Sequence, residues 1–217
     1  GWRMSGLALS PKNLGAICFG WDSVGSELTE ILETNSIAVN LDQATGAIAE
    51  KCDLVIASAA IKPDHPEMLT AVNRGIQVWT YAEALGQVQA SYTGVSLAGT
   101  HGKSTTTAML AHVLIECGLD PSFIVGATCP QIGGGSRVGS NAIPKGTMKG
   151  LPGAFLAEAC EFNRSFHHHR PTIGLINNLE EDHLDIYGSL DEIINAFRGF
   201  AELIPPAEQG GRLLIAH

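Results

Sequence analysis

Val95-Ser96-Leu97-Ala98-Gly99-Thr100-His101-Gly102-Lys103-Ser104-Thr105 is the segment on which the fold turns. Residues 93–98 read as a short buried strand that ends at a glycine. Gly99 and Gly102 permit a tight turn, and Lys103 then opens a helical pattern that runs to about Cys117 and stops at Gly118. Strand, glycine turn and helix in that order make a cradle for anions. Backbone N–H groups and the helix amino terminus face phosphates, Lys103 adds a full positive charge, and the Ser104 hydroxyl suits Mg²⁺. The loop is shorter than Gly-x-x-x-x-Gly-Lys-Ser/Thr, because Leu97 stands where the first glycine would be. A merely solvated lysine on a glycine-rich turn is the alternative, and the flanking strand and helix weigh against it.

Outward from this segment, short apolar runs alternate with helical patterns, which places the chain in the α/β class. The pattern predicts strands at 15–20, 36–40, 53–58 and 77–79, with helices at 26–33, 66–74 and 82–89. A fresh unit starts near Tyr92, with further strands at 121–125, 154–158, 172–177 and 211–215. Ser189-Leu190-Asp191-Glu192 has the spacing of a capping box and opens a helix to about Leu203. Residues 129–153 are rich in Gly and Pro without periodicity, as in a loop or distorted hairpin. The expected boundary falls at 88–92 and divides residues 1–90 from 91–217.

Composition narrows the function. The chain has 217 residues, 45% hydrophobic and 16% charged, enough apolar content to bury a core in one large or two modest domains. Lys and Arg number 13 against 22 Asp and Glu, a net charge of −9, so a broad phosphate-backbone partner such as nucleic acid is not expected. Any anionic ligand must be held locally. The five cysteines match no zinc or Cys-x-x-Cys spacing and read as reduced thiols of a cytoplasmic protein. No apolar run is long enough to span a bilayer, so no membrane partner is expected. The chain opens at Gly1 without Met and closes at His217 directly after Leu213-Leu214-Ile215; both ends read as cut.

Two more segments carry chemistry. Asn178 to Tyr187 follows an apolar strand, where α/β folds place ligands, and Asp182, His183 and Asp185 are donors suited to a divalent metal. A polar helix start with capping acids explains the same residues. Glu158 closes the apolar run Ala154–Ala157; a carboxylate there is costly unless it binds metal or is paired, and an arginine is the other candidate partner. His167-His168-His169 reads as a solvated or partly packed turn rather than a metal tract. Cys160 reads as a packed thiol, with no base beside it in sequence.

Taken together, these motifs resemble the Mur ligase family. Gly99 to Met109 resembles its nucleotide loop, and the histidine inside it with the Thr-Thr-Thr-Ala-Met tail resembles the branch that joins L-alanine to UDP-N-acetylmuramate. Ser58-Ala59-Ala60-Ile61 through Pro66-Glu67 is similar to that branch's Ser-Ser-Ala-Ile-x-x-x-Asn-Pro-Glu, and Met4-Ser5-Gly6-Leu7-Ala8 to the end of its glycine-rich UDP loop. Glu158-Ala159-x-Glu161 and Asn178-x-x-x-Asp182-His183 match two further motifs. Three residues depart from the pattern: Arg3 stands where a glycine is usual, Ser104 replaces threonine, and Cys160 replaces aspartate.

The resemblance implies a Rossmann-like UDP-sugar domain with its first strand missing, then part of a central ATPase domain, with the family's C-terminal domain absent. It implies ATP and Mg²⁺, an acyl-phosphate intermediate, and UDP-N-acetylmuramate and L-alanine as substrates. Gly99, Thr100, His101, Gly102, Lys103, Ser104, Thr105 and Asn178 would meet ATP; Ser104, Glu158 and His183 would hold metal; Lys103, Glu158 and His183 would be catalytic. Ser5, Ser58 and His101 would meet the sugar nucleotide. Little turnover is expected of the chain by itself. Competing readings are a ligase that attaches a recycled tripeptide, a non-catalytic nucleotide- and UDP-sugar-binding module, and a generic P-loop GTPase or kinase. The last leaves the Glu158 and His183 motifs unexplained.

Overall fold

A computed structural model describes residues 2–182 and 186–216. Helix α1 (Trp2–Asn13) opens the chain, followed by β1 (Phe19–Trp21), α2 (Glu27–Thr34) and β2 (Ala38–Asn40). Next come β3 (Leu54–Ala57), α3 (Pro66–Asn73), β4 (Gln77–Thr80) and α4 (Tyr81–Gln89). β1 pairs β2 and β3 pairs β4, both parallel, as two separate two-stranded sheets. α1 was not anticipated from sequence. It contains Gly6 and Pro11, both poor helix residues, and takes its stability from packing.

The second half builds one six-stranded sheet from β5 (Thr93–Ala98), β6 (Ser122–Ile124), β7 (Ser136–Arg137), β8 (Ala154–Glu158), β9 (Ile173–Ile176) and β10 (Arg212–Ile215), with α5 (Lys103–Glu116) and α6 (Leu190–Ala201). Its order is β10-β9-β5-β8-β6-β7, parallel except for β7, which runs antiparallel to β6 inside the stretch read as a loop or distorted hairpin. β5 lies between β8 and β9, with Leu97 opposite Glu158 and Ala98 opposite Ile176. The carboxyl ends of these three strands therefore share one edge.

Side-chain alternation assigns the faces. Leu97, Phe123 and Leu156 point toward α5, where they pack with Ala111. Ile124, Phe155 and Ala157 point the other way, against Leu7 of α1 and Leu85 of α4. The N-terminal helices thus cover part of the second face of the central sheet, and β5 and β8 are buried throughout. A third cluster gathers Phe166, Tyr187, Phe197 and Phe200 beneath α6. Ser189 caps α6 by accepting from the Glu192 N–H, whereas the Glu192 carboxylate accepts from Gly188, so the box closes one residue early.

The histidine run splits on folding. His167 stacks on Phe166, but His169 is 2% exposed, its Nδ1 2.8 Å from Ser96 Oγ on β5. Gln89 Nε2 donates to that hydroxyl at 3.0 Å, and Gln89 Oε1 accepts from Arg170 N–H at 2.9 Å. Burial first, and His168 second, push His169 down from 6.5 to about 3. Between those values the unfolded chain takes up a proton that the folded chain refuses, so stability falls as pH drops from 6.5 toward 3. His169→Gln should flatten that decline in melting temperature over the same window; an equally steep decline would assign the acid sensitivity elsewhere.

Candidate functional site

The loop 99–102 sits at the shared carboxyl edge, between β5 and α5. Gly99 has φ +139°, and a Cβ there would lie 3.0 Å from Asn177 Cβ, so this turn requires glycine. Gly102 caps α5 in a left-handed conformation with no side-chain hydrogen bond to the first turn. The N–H groups of that turn therefore have no side-chain acceptor, which is the condition for binding an anion at a helix start.

Lys103 is folded back over the loop rather than solvated. Its Nζ donates to Gly99 O at 2.6 Å and Thr100 O at 3.1 Å, and lies 2.9 Å from both carboxylate oxygens of Glu161. The side chains of Lys103 and Glu161 are 15% and 4% exposed. Tyr187 donates its hydroxyl proton to Glu161 O and closes the other side of that residue.

The segment after β9 clamps the loop. Asn178 Oδ1 accepts from His101 N–H at 2.8 Å while its Nδ2 donates to His101 O at 3.2 Å. Asn177 Nδ2 donates to Thr106 Oγ1 at 3.0 Å, and Glu180 N–H donates to Thr100 Oγ1 at 2.9 Å. Both polar atoms of the Asn178 side chain are thus engaged in holding the loop. The His101 ring itself is exposed, 3.8 Å from Glu180.

Glu158 closes β8 on the same edge with its side chain 4% exposed. Its Oε1 accepts from Gly126 N–H at 2.6 Å, and its Oε2 lies 3.3 Å from Arg3 Nη2 on α1. Of the two partners expected from sequence, the arginine is therefore present. Hydroxyl and carboxylate oxygens are hard donors suited to Mg²⁺, and a cationic group already stands on Glu158, so the residues fit a divalent ion. Among the described residues no group of three or more His, Cys, Asp or Glu is placed to hold a metal ion.

The remaining candidates scatter. Ser104 and Thr105 lie in the first turn of α5 and line a cavity of about 460 Å³ together with Met109, His112, Thr128 and Ile132. Ser5 is buried in α1, two positions from Arg3. Ser58 follows β3, where its hydroxyl accepts from Ala60 N–H. Cys160 is half-buried. His183 and Asp185 lie outside the described residues. Sequence reasoning missed the positions of Arg3, Gly126 and Asn177. Two glutamates three positions apart after an apolar strand were a signal that two cations are needed, and Lys103 supplies one.

Residues 1–93 match the profile described as Mur ligase family, catalytic domain, and residues 97–215 the Mur ligase middle domain. The chain is 39% identical over 206 residues to a UDP-N-acetylmuramate–L-alanine ligase of Lachnospira eligens, covering 94% of this chain and 42% of the relative. It is 37% identical to the ligase of the same name from Clostridium beijerinckii, with the same coverage. The chain thus spans about two fifths of the length of these curated relatives.

Among solved structures, UDP-N-acetylmuramate:L-alanyl-gamma-D-glutamyl-meso-diaminopimelate ligase from Neisseria meningitides superposes with TM-score 0.84 at 28% identity, over 99% of this chain and 68% of that one. UDP-N-acetylmuramate-alanine ligase MurC from Thermotoga maritima gives 0.78 at 25% identity, over 94% and 45%.

Gly99→Ala forces a Cβ into a left-handed position against Asn177 and should cost about 1–3 kcal/mol of stability in urea denaturation. A midpoint equal to the parent's would mean that the loop closes without glycine.

Proposed function

The chain belongs to the Mur ligase family, and from that premise we propose that it carries the ATP-binding part of a ligase joining L-alanine to the carboxylate of UDP-N-acetylmuramate in peptidoglycan precursor synthesis. One observation carries the reading. A glycine loop, a lysine held by loop carbonyls, a helix start without side-chain caps and a buried carboxylate stand together on one sheet edge. Among the described residues no helix is long and apolar enough to cross a membrane.

In this reading Lys103 leaves the Gly99 and Thr100 carbonyls for the β- and γ-phosphates, and the N–H groups that open α5 complete their cradle. Ser104 and Glu158 would hold Mg²⁺ at the phosphates, and His183, which lies outside the described residues, would hold a second Mg²⁺. The ion, when bound, supplies positive charge to the phosphate oxygens. The Asn177–Asn178 clamp keeps the loop open to phosphate by fixing the His101 backbone. In this proposal His101 and Ser58 face the sugar nucleotide, whereas Ser5, buried in α1, presents no open surface to it.

The muramyl carboxylate oxygen attacks the γ-phosphorus and ADP leaves, giving an acyl phosphate. The amine of L-alanine then attacks the carbonyl carbon, the amine proton is lost, and phosphate departs. Such chemistry is mostly positioning and charge neutralisation. A second reading, transfer to a tripeptide amine, draws on the higher structural similarity to the Neisseria meningitides ligase. Phosphate release with L-alanine against L-alanyl-γ-D-glutamyl-meso-diaminopimelate separates the two.

Mg²⁺–ATP at about a hundred times its Kd should stabilise the folded chain by about 2.7 kcal/mol, read as a rise in melting temperature. Lys103→Ala should abolish that rise. An equal rise in the variant would sink the assignment of the phosphate site.

A further inference from the structure

Glu158 has one engaged oxygen on each side. Oε1 is fixed by the Gly126 N–H, a backbone contact at 2.6 Å, while Oε2 faces Arg3 at 3.3 Å. The two partners differ in how readily they can be replaced. Gly126 is part of the main chain after β6. Arg3 stands at the start of α1, 155 positions from Glu158 in sequence, and its side chain is 46% exposed. A half-exposed guanidinium can turn into water at little expense, whereas a carboxylate this buried needs a positive partner at all times.

The surroundings are shaped to this pair. A Cβ on residue 126 would lie 2.9 Å from both Arg3 Nη2 and Glu158 Oε2, so glycine at that position makes room for the contact. Tyr81, at the start of α4, senses both charges: burial raises its phenol, Arg3 lowers it and Glu158 raises it again. The pair therefore sits where α1, α4 and the carboxyl edge of the central sheet meet.

We propose that Arg3 and a divalent cation are alternative partners of Glu158, so that the ion arriving with nucleotide displaces the guanidinium and releases the start of α1 from β8. Arg3 is then a positioning residue that couples the N-terminal helix to occupancy of the phosphate site. This rests on the nucleotide reading given above. Linkage makes the coupling reciprocal: whatever strengthens the Arg3 contact weakens the ion, and the reverse.

The test measures Mn²⁺ binding, by the signal of free Mn²⁺ in electron paramagnetic resonance, to the whole chain with saturating ADP. Arg3→Met should tighten Mn²⁺ at least about fivefold over the parent, the lower end of ordinary coupling between sites. Arg3→Lys, which keeps the charge but loses the fork, should fall between the two. A second measurement needs no substitution in the sample of interest. The ¹⁵N–¹H signal of the Arg3 Nε, assigned by its loss in Arg3→Lys, should move toward the position of a solvated guanidinium with Mg²⁺–ADP but not with ADP and a chelator. Equal Mn²⁺ affinity in parent and Arg3→Met, or an Arg3 signal unmoved by bound Mg²⁺–ADP, overturns the Arg3 proposal alone. Failure of parent and variants alike to bind ADP with either ion overturns the nucleotide reading and this proposal with it.

Discussion

Two carboxylates, Glu158 and Glu161, are taken out of water at the carboxyl edge of the central sheet, and the need to neutralise them organises what surrounds them. A buried carboxylate is tolerated only with a cation and hydrogen bonds in place. Glu161 takes Lys103, which folds the lysine over the Gly99 and Thr100 carbonyls and so shapes the loop. Glu158 takes Arg3 and the Gly126 N–H, which ties the first turn of the chain to the end of β8. The shape of the glycine loop and the docking of the N-terminal helix are two consequences of one electrostatic requirement.

The same docking solves a packing problem. A parallel sheet must be covered on both faces, and α5 covers only one. Leu7 of α1 and Leu85 of α4 cover the other face by packing on Phe155 and Ile124, and α6 covers it at Ala98 and Ile176. Gly6 allows α1 to approach closely, since a Cβ there would lie 2.6 Å from Ser136 Cβ. By contrast, β1 and β2 keep much of their surface open, with Phe19 of β1 49% exposed and Ile17, just before that strand, 87% exposed. Burial therefore concentrates where the site is built. This fits the principle that ligand sites need a rigid frame beneath a loop.

Much of the frame was legible from local pattern. The strands at 93–98 and 154–158 appear with the expected bounds, because each is a short run of mostly apolar and small residues ended by glycine or charge. Helices α2, α3 and α4 also fall within a residue or so of expectation, since Ser26, Pro66 and Thr80 mark their starts. α1 was missed because its apolar face is weakly periodic and carries Gly6 and Pro11. The short β7 was missed because a two-residue strand has no period to read.

By itself the sequence determined the α/β class, the loop that opens α5, and the presence of Glu158 at the end of an apolar strand. Those features are local: each depends on residues within a few positions of one another, which is the range over which periodicity and turn chemistry act. Tertiary structure alone decided which cation met Glu158, that Asn178 would clamp the His101 backbone, and that only the third histidine of its run would be buried. Each of these joins positions far apart in the chain, and residue type can state that a charge needs a partner but not which partner the sheet order brings near.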